Sequence, residues 1–340
     1  MKKILFLLLL LAGAVAGYAY YQIMVVPVVP ESSEPIVIEI PSGSDYERVM
    51  DSLAAHGVTP NRLFFDPLAE RMAFKRERMR TGRFTLPPGA SSVGLIRKLR
   101  GGTQATVDVI LTTEREPMNV AAKVARFLEA DSLAFVRLFH DEAFLDSLGY
   151  TSETLQTLFI PNTYEMYWNA TPREFVARMV KEHQRFWERD SRRAKARALG
   201  MSPAEVYTLA SIVEKESLAP SERPRIAGVY LNRLRNGIPL QADPTAVFAT
   251  REFGISRVLY RHIEFDHPYN TYVYAGLPPG PITMASVGSI DAVLNPEDHN
   301  FIYFCARGDG SGMHNFASTI GGHARNRAIY AANLRERGIR

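Results

Sequence analysis

Behind Lys2 and Lys3 the chain carries no charged residue from Ile4 to Pro30, and the stretch from Ile4 to Tyr21 is dominated by Leu, Ala, Gly and aromatic residues. This run constrains the architecture more than any other feature. A helix needs roughly 20 apolar residues to cross the hydrocarbon layer, and the run is just long enough. Lysines flank one end and Tyr18, Tyr20 and Tyr21 the other, where cationic and aromatic residues meet the two membrane interfaces. The expectation is a single-pass transmembrane anchor over residues 1–25, with the rest of the chain on the far side of the membrane. Ala14-Val15-Ala16 also offers a small-residue site for signal-peptide cleavage, but apolarity continues past it for as long as a span requires. No Cys closes the run, so attachment as a lipoprotein is excluded.

One such segment leaves a long exported part. With 46% apolar and 22% charged residues among 340, it can bury a core, which excludes a disordered chain and a polytopic membrane protein. Forty basic against 36 acidic residues give +4, too close to balance for a nucleic-acid-binding field. The lone Cys305 rules out an intramolecular disulfide and a Cys-rich metal site.

Pro27, Pro30 and Glu31-Ser32-Ser33-Glu34-Pro35 read as an extended linker over 26–35. Ile36 to Ile40 alternates as a strand, and Pro41-Ser42-Gly43-Ser44 turns the chain into a helix carrying Val49, Met50 and Leu53. The pattern returns: Arg83 to Leu86, then Pro87-Pro88-Gly89, then a helix carrying Leu95, Ile96 and Leu99. Superposing Pro41 on Pro87 makes a degenerate strand-turn-helix repeat. A third strand over Val107 to Leu111 completes a small α+β module over 36–113. Helical periodicity then runs from about Ser132 to Leu199. It is interrupted by an aromatic loop, Phe159 to Trp168, expected to line a cleft, and followed by Arg192 to Arg197, expected as a solvated basic face.

Ser202-Pro203-Ala204-Glu205 is a strong helix start: Ser202 caps, Pro203 takes the first turn, and Glu205 reaches back to the cap. At about 100° per residue, Val206, Leu209, Ala210 and Val213 form an apolar stripe that separates the two glutamates of Val213-Glu214-Lys215-Glu216. Glu216 falls at the stripe's edge, Glu214 well away from it. A carboxyl group at an apolar edge loses hydration and holds its proton, the state a general acid needs. A bland alternative is a helix-end glutamate paired with Lys215 or Arg223. A second helix follows through Ile226, Val229, Tyr230 and Leu234. Then comes a loop-rich tract in which Gln241, Asp243, Tyr269, Asn270 and Tyr272 join amides, a carboxylate and phenols to the rigid turns of Gly276 to Ile282. Such groups suit hydroxyls, N-acetyl groups and sugar faces.

These motifs together resemble the endolytic murein transglycosylases, the YceG-like or MltG-type family. They are Ala210 to Glu216, Leu240 to Thr245, Tyr269-Asn270-Thr271-Tyr272, the double-proline loop, Pro161 to Tyr164, and His314-Asn315-Phe316 with His323. The resemblance spans nearly the whole chain. It implies an α+β fold with an N-terminal transmembrane helix, a small LysM-like subdomain over 36–113 and a larger mixed α/β catalytic domain over 114–340. It implies Glu216 as the catalytic residue, with Gln241, Asp243, Tyr269, Asn270 and Tyr272 as substrate-binding residues, and no cofactor or metal. The implied reaction is cleavage of the MurNAc–GlcNAc β-1,4 bond of nascent strands with 1,6-anhydro-MurNAc ends. The implied location is the bacterial inner membrane with the catalytic domain extracytoplasmic, and the partners are peptidoglycan glycan strands and peptidoglycan synthases, not nucleic acid. Asn162 stands where Asp is common, Cys305-Ala306-Arg307 where an acid commonly follows Val-Ala, and His267 where a small residue is common.

Two other readings fit part of the pattern. A non-catalytic wall-binding protein would need no acid at an apolar helix edge. A hydrolytic muramidase ordinarily needs two carboxylates, for which Asp243 is the one obvious second. His262, Glu264, Asp266 and His267 lack metal-ligand spacing, and Cys305 reads as a small buried apolar residue.

Overall fold

The computed structural model describes residues 2–217, 219–255 and 257–339. The chain divides into two units: Met1–Val109, Ala125–Ala130 and Tyr164–Thr171 form the first, and Ile110–Val124, Asp131–Thr163 and Pro172–Arg340 the second.

The first unit opens with α1 (Lys2–Met24), 23 residues with none buried against protein. It is the described helix long and apolar enough to cross a membrane, a property that a single-pass anchor and a signal sequence share. Behind it come β1 (Ile36–Ile40), α2 (Tyr46–Ala55), α3 (Arg62–Arg71), β2 (Gly82–Leu86) and α4 (Ser92–Gly101). β1 and β2 pair antiparallel, Ile38 opposite Phe84, so their inward residues Ile38, Ile40, Phe84 and Leu86 share a core with Val49, Leu53, Phe65, Leu95 and Leu99. The internal repeat extends to the caps: Asp45 caps α2 through Arg48 N, and Ser91, in the equivalent position, caps α4 through Gly94 N. Gly43 and Gly89 precede them at φ +77° and +67°, the left-handed region that favours glycine.

Two expectations change here. The segment read as a linker is built into the module from its start: Pro27 bridges Ser91, Val28 and Val29 donate to Ala90 O at 2.9 and 3.1 Å, and Val29 is buried in the core. The third strand, β3 (Thr106–Leu111), does not join β1 and β2. It pairs with β4 (Asn162–Tyr167), so the segment read as an aromatic cleft loop is largely a strand. Tyr164 and Met166 alternate inward along β4, while Tyr167 is exposed.

The second unit contains α5 (Pro117–Val124), α6 (Ser132–Phe139), α7 (Glu142–Leu148), α8 (Pro172–Glu188), α9 (Arg192–Ala198) and α10 (Pro203–Glu216). These are followed by α11 (Arg223–Arg235), α12 (Asp243–Thr250), α13 (Tyr260–Ile263), α14 (Val287–Leu294), the antiparallel pair β5 (Tyr303–Ala306) and β6 (His314–Ala317), and α15 (Ile320–Glu336). Its core is centred on α10, whose residues from Val206 to Val213 are all buried. Side chains of α11, α12 and α14 surround it. The helix is therefore enclosed rather than striped. α9 keeps a solvated face through Arg193, Ala194 and Arg197, but Arg192 does not belong to it: it is buried, its Nε and Nη2 donating to Asp291 at 2.8 and 3.0 Å.

Candidate active site

The start of α10 forms as its sequence requires, with Ser202 and Glu205 making a reciprocal capping box. Its other end carries Glu216. Glu216 is the last residue of the helix, after which Ser217 leaves in an extended conformation, so its carboxyl group emerges from an enclosed core into an open space. Tyr230, buried on α11, donates its hydroxyl to Glu216 Oε1 at 2.7 Å. Burial pushes the Glu216 carboxyl up to about 7 from its ordinary 4.5, the Tyr230 bond pulling back and the charge of Asp243 adding to the rise. The negative end of the α10 dipole acts in the same direction, disfavouring an anion in the last turn. With Oε1 taken by Tyr230, Oε2 is the oxygen left to carry a proton and give it away.

Glu214 has a different task. Ser286 and Ser289 at the start of α14 donate to its Oε2, the latter at 2.7 Å, and Arg223 donates to its Oε1 at 3.2 Å. Burial raises its pKa, yet these hydrogen bonds and the Arg223 charge more than offset that and hold the carboxylate below its usual range. It ties α10 to α14. The Arg223 partnership weighed for Glu216 belongs to Glu214.

Glu216 and Asp243 line two cavities. The wider, about 510 Å³, is bounded by Tyr230, Arg233, Gln241, Tyr272, Tyr303, Cys305, His314, His323 and Arg327. The narrower, about 330 Å³, is bounded by Arg115, Lys215, Pro244, Val247, Phe248 and Phe253. Both residues thus stand at the border of the two cavities, a wide arm and a narrow one.

Of the residues singled out from sequence, Gln241, Asp243 and Tyr272 share the wide arm with Glu216. Asp243 is not in a free turn but opens α12, and Tyr272 donates to its Oδ1 at 2.5 Å. Burial and that carboxylate raise the Tyr272 phenol well above its ordinary range. Gln241 holds a positive φ of 52°, a conformation few non-glycine residues adopt. Its N–H donates to Thr271 O at 3.1 Å, and its Oε1 accepts from Arg233 at 2.5 Å.

The structure separates the other two. Tyr269 faces a neighbouring cavity of about 240 Å³ with Phe248, Arg251 and His267. Asn270 is fully buried, its Nδ2 donating to the carbonyls of His262, Ile263 and Phe265, and its Oδ1 accepting from Tyr272 N at 3.1 Å. It organises the loop that carries Tyr272 and has no face left for a ligand. Cys305 is half-buried in the wide arm's wall rather than in the core. His314 Nδ1 lies 2.9 Å from the carboxyl group of the buried Glu222, which also accepts from the His314 backbone N–H. This pair fixes β6 beside the cavity.

A model of the YceG-like family matches residues 38–329. The chain belongs to the YceG-like family. It is 27% identical to the endolytic murein transglycosylase of Bacillus subtilis over 345 residues, covering 97% of this chain and 93% of that protein. The protein of the same name from Streptococcus pneumoniae is 26% identical, with 89% of this chain matching 60% of that longer protein. Among solved structures, that of a YceG-like protein from Listeria monocytogenes superposes with a TM-score of 0.56 at 25% identity, over 86% of this chain and 99% of that one. In this YceG-like chain the helical periodicity marks Tyr230 only as a helix-face residue and does not single out Arg233. Their spacing held the signal: residues three apart share a helix face, and a tyrosine and an arginine together on a largely apolar face mark a polar site rather than plain core.

Proposed function

We propose that this chain is a membrane-anchored endolytic peptidoglycan lytic transglycosylase with Glu216 as its single acid and base. The observation that carries the reading is a carboxyl group at the end of a buried helix, bonded by Tyr230 and bordering two cavities, where burial pushes its pKa up to about 7. A glycan lying through both arms presents an internal bond to it, which suits cleavage within a strand.

In the proposed reaction Glu216 Oε2 gives its proton to the β-1,4 oxygen between N-acetylmuramic acid and N-acetylglucosamine. The C1–O bond breaks with its electron pair going to that oxygen. The C6 hydroxyl oxygen of the same muramic acid closes on C1, and its proton returns to the Glu216 carboxylate. The products are a strand with a new free 4-hydroxyl and one ending in 1,6-anhydro-N-acetylmuramic acid, and the residue finishes as it began. Asp243 faces the same space and stabilises positive charge on the anomeric carbon, with Tyr272 holding it. Gln241 and Tyr272 orient the sugar, Tyr269 covers a sugar further along, and Asn270 keeps their loop in shape.

α1 serves as the anchor in the bacterial cytoplasmic membrane, with both units extracytoplasmic. The β1-α2-α3-β2 order with antiparallel strands supports a LysM-like, glycan-positioning role for the first unit. Cleavage of nascent strands would end their elongation, which makes peptidoglycan synthases the natural partners.

One observation favours a second reading. Asp243 is a carboxylate in the same cavity whose charge reaches Glu216, and a hydrolytic muramidase would use it on water. Glu216→Gln tests catalysis as such. It keeps the shape and removes the proton, so turnover of purified peptidoglycan is expected to fall by about 10²–10⁴-fold or more. Undiminished turnover would exclude Glu216 as the acid, and with it either enzymatic reading of this site.

A further inference from the structure

We propose that the wide arm of the cleft contains a carboxylate-binding subsite, built by Arg233 and Arg327, for the anionic substituent on the muramic acid residue. The inference rests on the glycan-cleaving reading above and adds what the site selects.

Arg233 is 7% exposed. Its Nη2 donates to the neutral Gln241 amide, its Nε is buried without an acceptor, and no described acidic side chain lies within ion-pairing distance of it or of Arg327. Its guanidinium lies 5.7 Å from the Tyr303 ring centre, and Tyr303 stacks on His323 at 5.2 Å with 22° between the planes. Arg327 follows His323 by one turn of α15 and lines the same cavity. The two cations converge on that imidazole: burial first, then Arg327 and Arg233, lower its proton affinity. His323 Nδ1 is also buried without a partner.

The acids facing the cavity do not neutralise this end. Glu216 is held by Tyr230 and Asp243 by Tyr272, while Glu222 behind the wall is taken by His314. A buried guanidinium without a counter-charge is costly, and its planar fork matches a carboxylate. On a peptidoglycan strand, carboxylates occur on the lactyl arm of muramic acid when it is free, and on the peptide when that arm is substituted. Both sources present the same chemistry.

The test uses the full chain carrying Glu216→Gln, so that bound glycan is not consumed, and measures calorimetric affinity for three glycans of equal length. These are a peptide-bearing strand, a peptide-stripped strand with free lactyl carboxylates, and a neutral chitooligosaccharide. An anionic glycan is expected to bind at least about 10-fold tighter than the neutral one. Arg327→Gln, at an exposed position, and Arg233→Gln, checked for folding by its melting curve, should each bring that ratio close to one, a loss of about 10-fold, within the usual worth of a charge-assisted hydrogen bond. Loss confined to the peptide-bearing strand assigns a peptide carboxylate, and loss on the stripped strand assigns the lactyl one. A wild-type ratio near one, or a ratio unmoved by Arg327→Gln and by a folded Arg233→Gln, overturns the subsite and leaves Arg233 as a support for Gln241. Binding of none of the three would remove the glycan reading itself, and the subsite with it.

Discussion

A carboxyl group at the C-terminal end of an enclosed helix, accepting a bond from a buried phenol, is set to hold its proton through the range in which an acid catalyst works. Two consequences follow for Glu216. Its folded pKa of about 7 lies above its ordinary 4.5, so activity requiring the protonated form should decline as pH rises through about 7, read from the alkaline limb of kcat. Tyr230→Phe removes the bond that pulls the value down, so this limb should move to higher pH; an unmoved limb would mean that another group sets it. Stability follows the same linkage. The folded chain retains a proton that the unfolded one releases, so stability is full below about pH 4.5 and falls as pH rises toward 7, by at most about 3 kcal/mol. Glu216→Gln escapes that loss, and its melting temperature should match wild type near pH 4 and exceed it above pH 7. Glu216 was legible in part: spacing placed a carboxyl group at the end of a largely apolar helix, while Tyr230 and Asp243, which help to set its proton affinity, come from other elements. Asn270 was not: an amide in a loop looks alike whether it faces a ligand or three carbonyls of its own loop, and only the path of residues 262–265 decides.

At the scale of elements, α10 is the piece around which the second unit is assembled, and its links to other segments are polar as well as apolar. Ser211, fully buried, accepts from Ile282 N at 3.0 Å and so ties the double-proline loop to the helix. In that loop Gly280 has no room for a side chain, since a Cβ there would lie 2.1 Å from Glu153 O. Glu214 ties α14 to the same helix. Glu214→Gln is expected to cost about 1–3 kcal/mol of stability, seen as a lower urea midpoint, with a far smaller effect on turnover of the folded enzyme than Glu216→Gln. Because the folded pKa of Glu214 is depressed, its contribution is present above the ordinary carboxylate range and lost as pH falls through the folded value. The difference between wild type and Glu214→Gln should therefore shrink in acid. Capping residues and the strand-turn-helix repeat announced α10, α2 and α4 because caps act within four residues. The pairing of β3 with β4 could not be read that way, since its partners are separated by more than fifty residues and each strand is short.

For the whole molecule, the division of labour between an apolar N-terminal helix and two folded units sets where the chain can be cut. Removing residues through Met24 should give a soluble protein that keeps its melting temperature. Removing them through Pro35 also takes Val28 and Val29 from the first core, and burying a valine side chain is worth about 1.5–3 kcal/mol, so the shorter form should melt earlier. Equal melting would return those residues to the status of a linker. The central claim is the fate of the broken bond, and it is decided by mass spectrometry of peptidoglycan digested by the purified enzyme in ¹⁸O-labelled water. The account predicts muramic acid ends in the 1,6-anhydro form, lighter by one water and free of label. Reducing ends that carry ¹⁸O would contradict it and make the enzyme a hydrolase that works through Glu216 and Asp243.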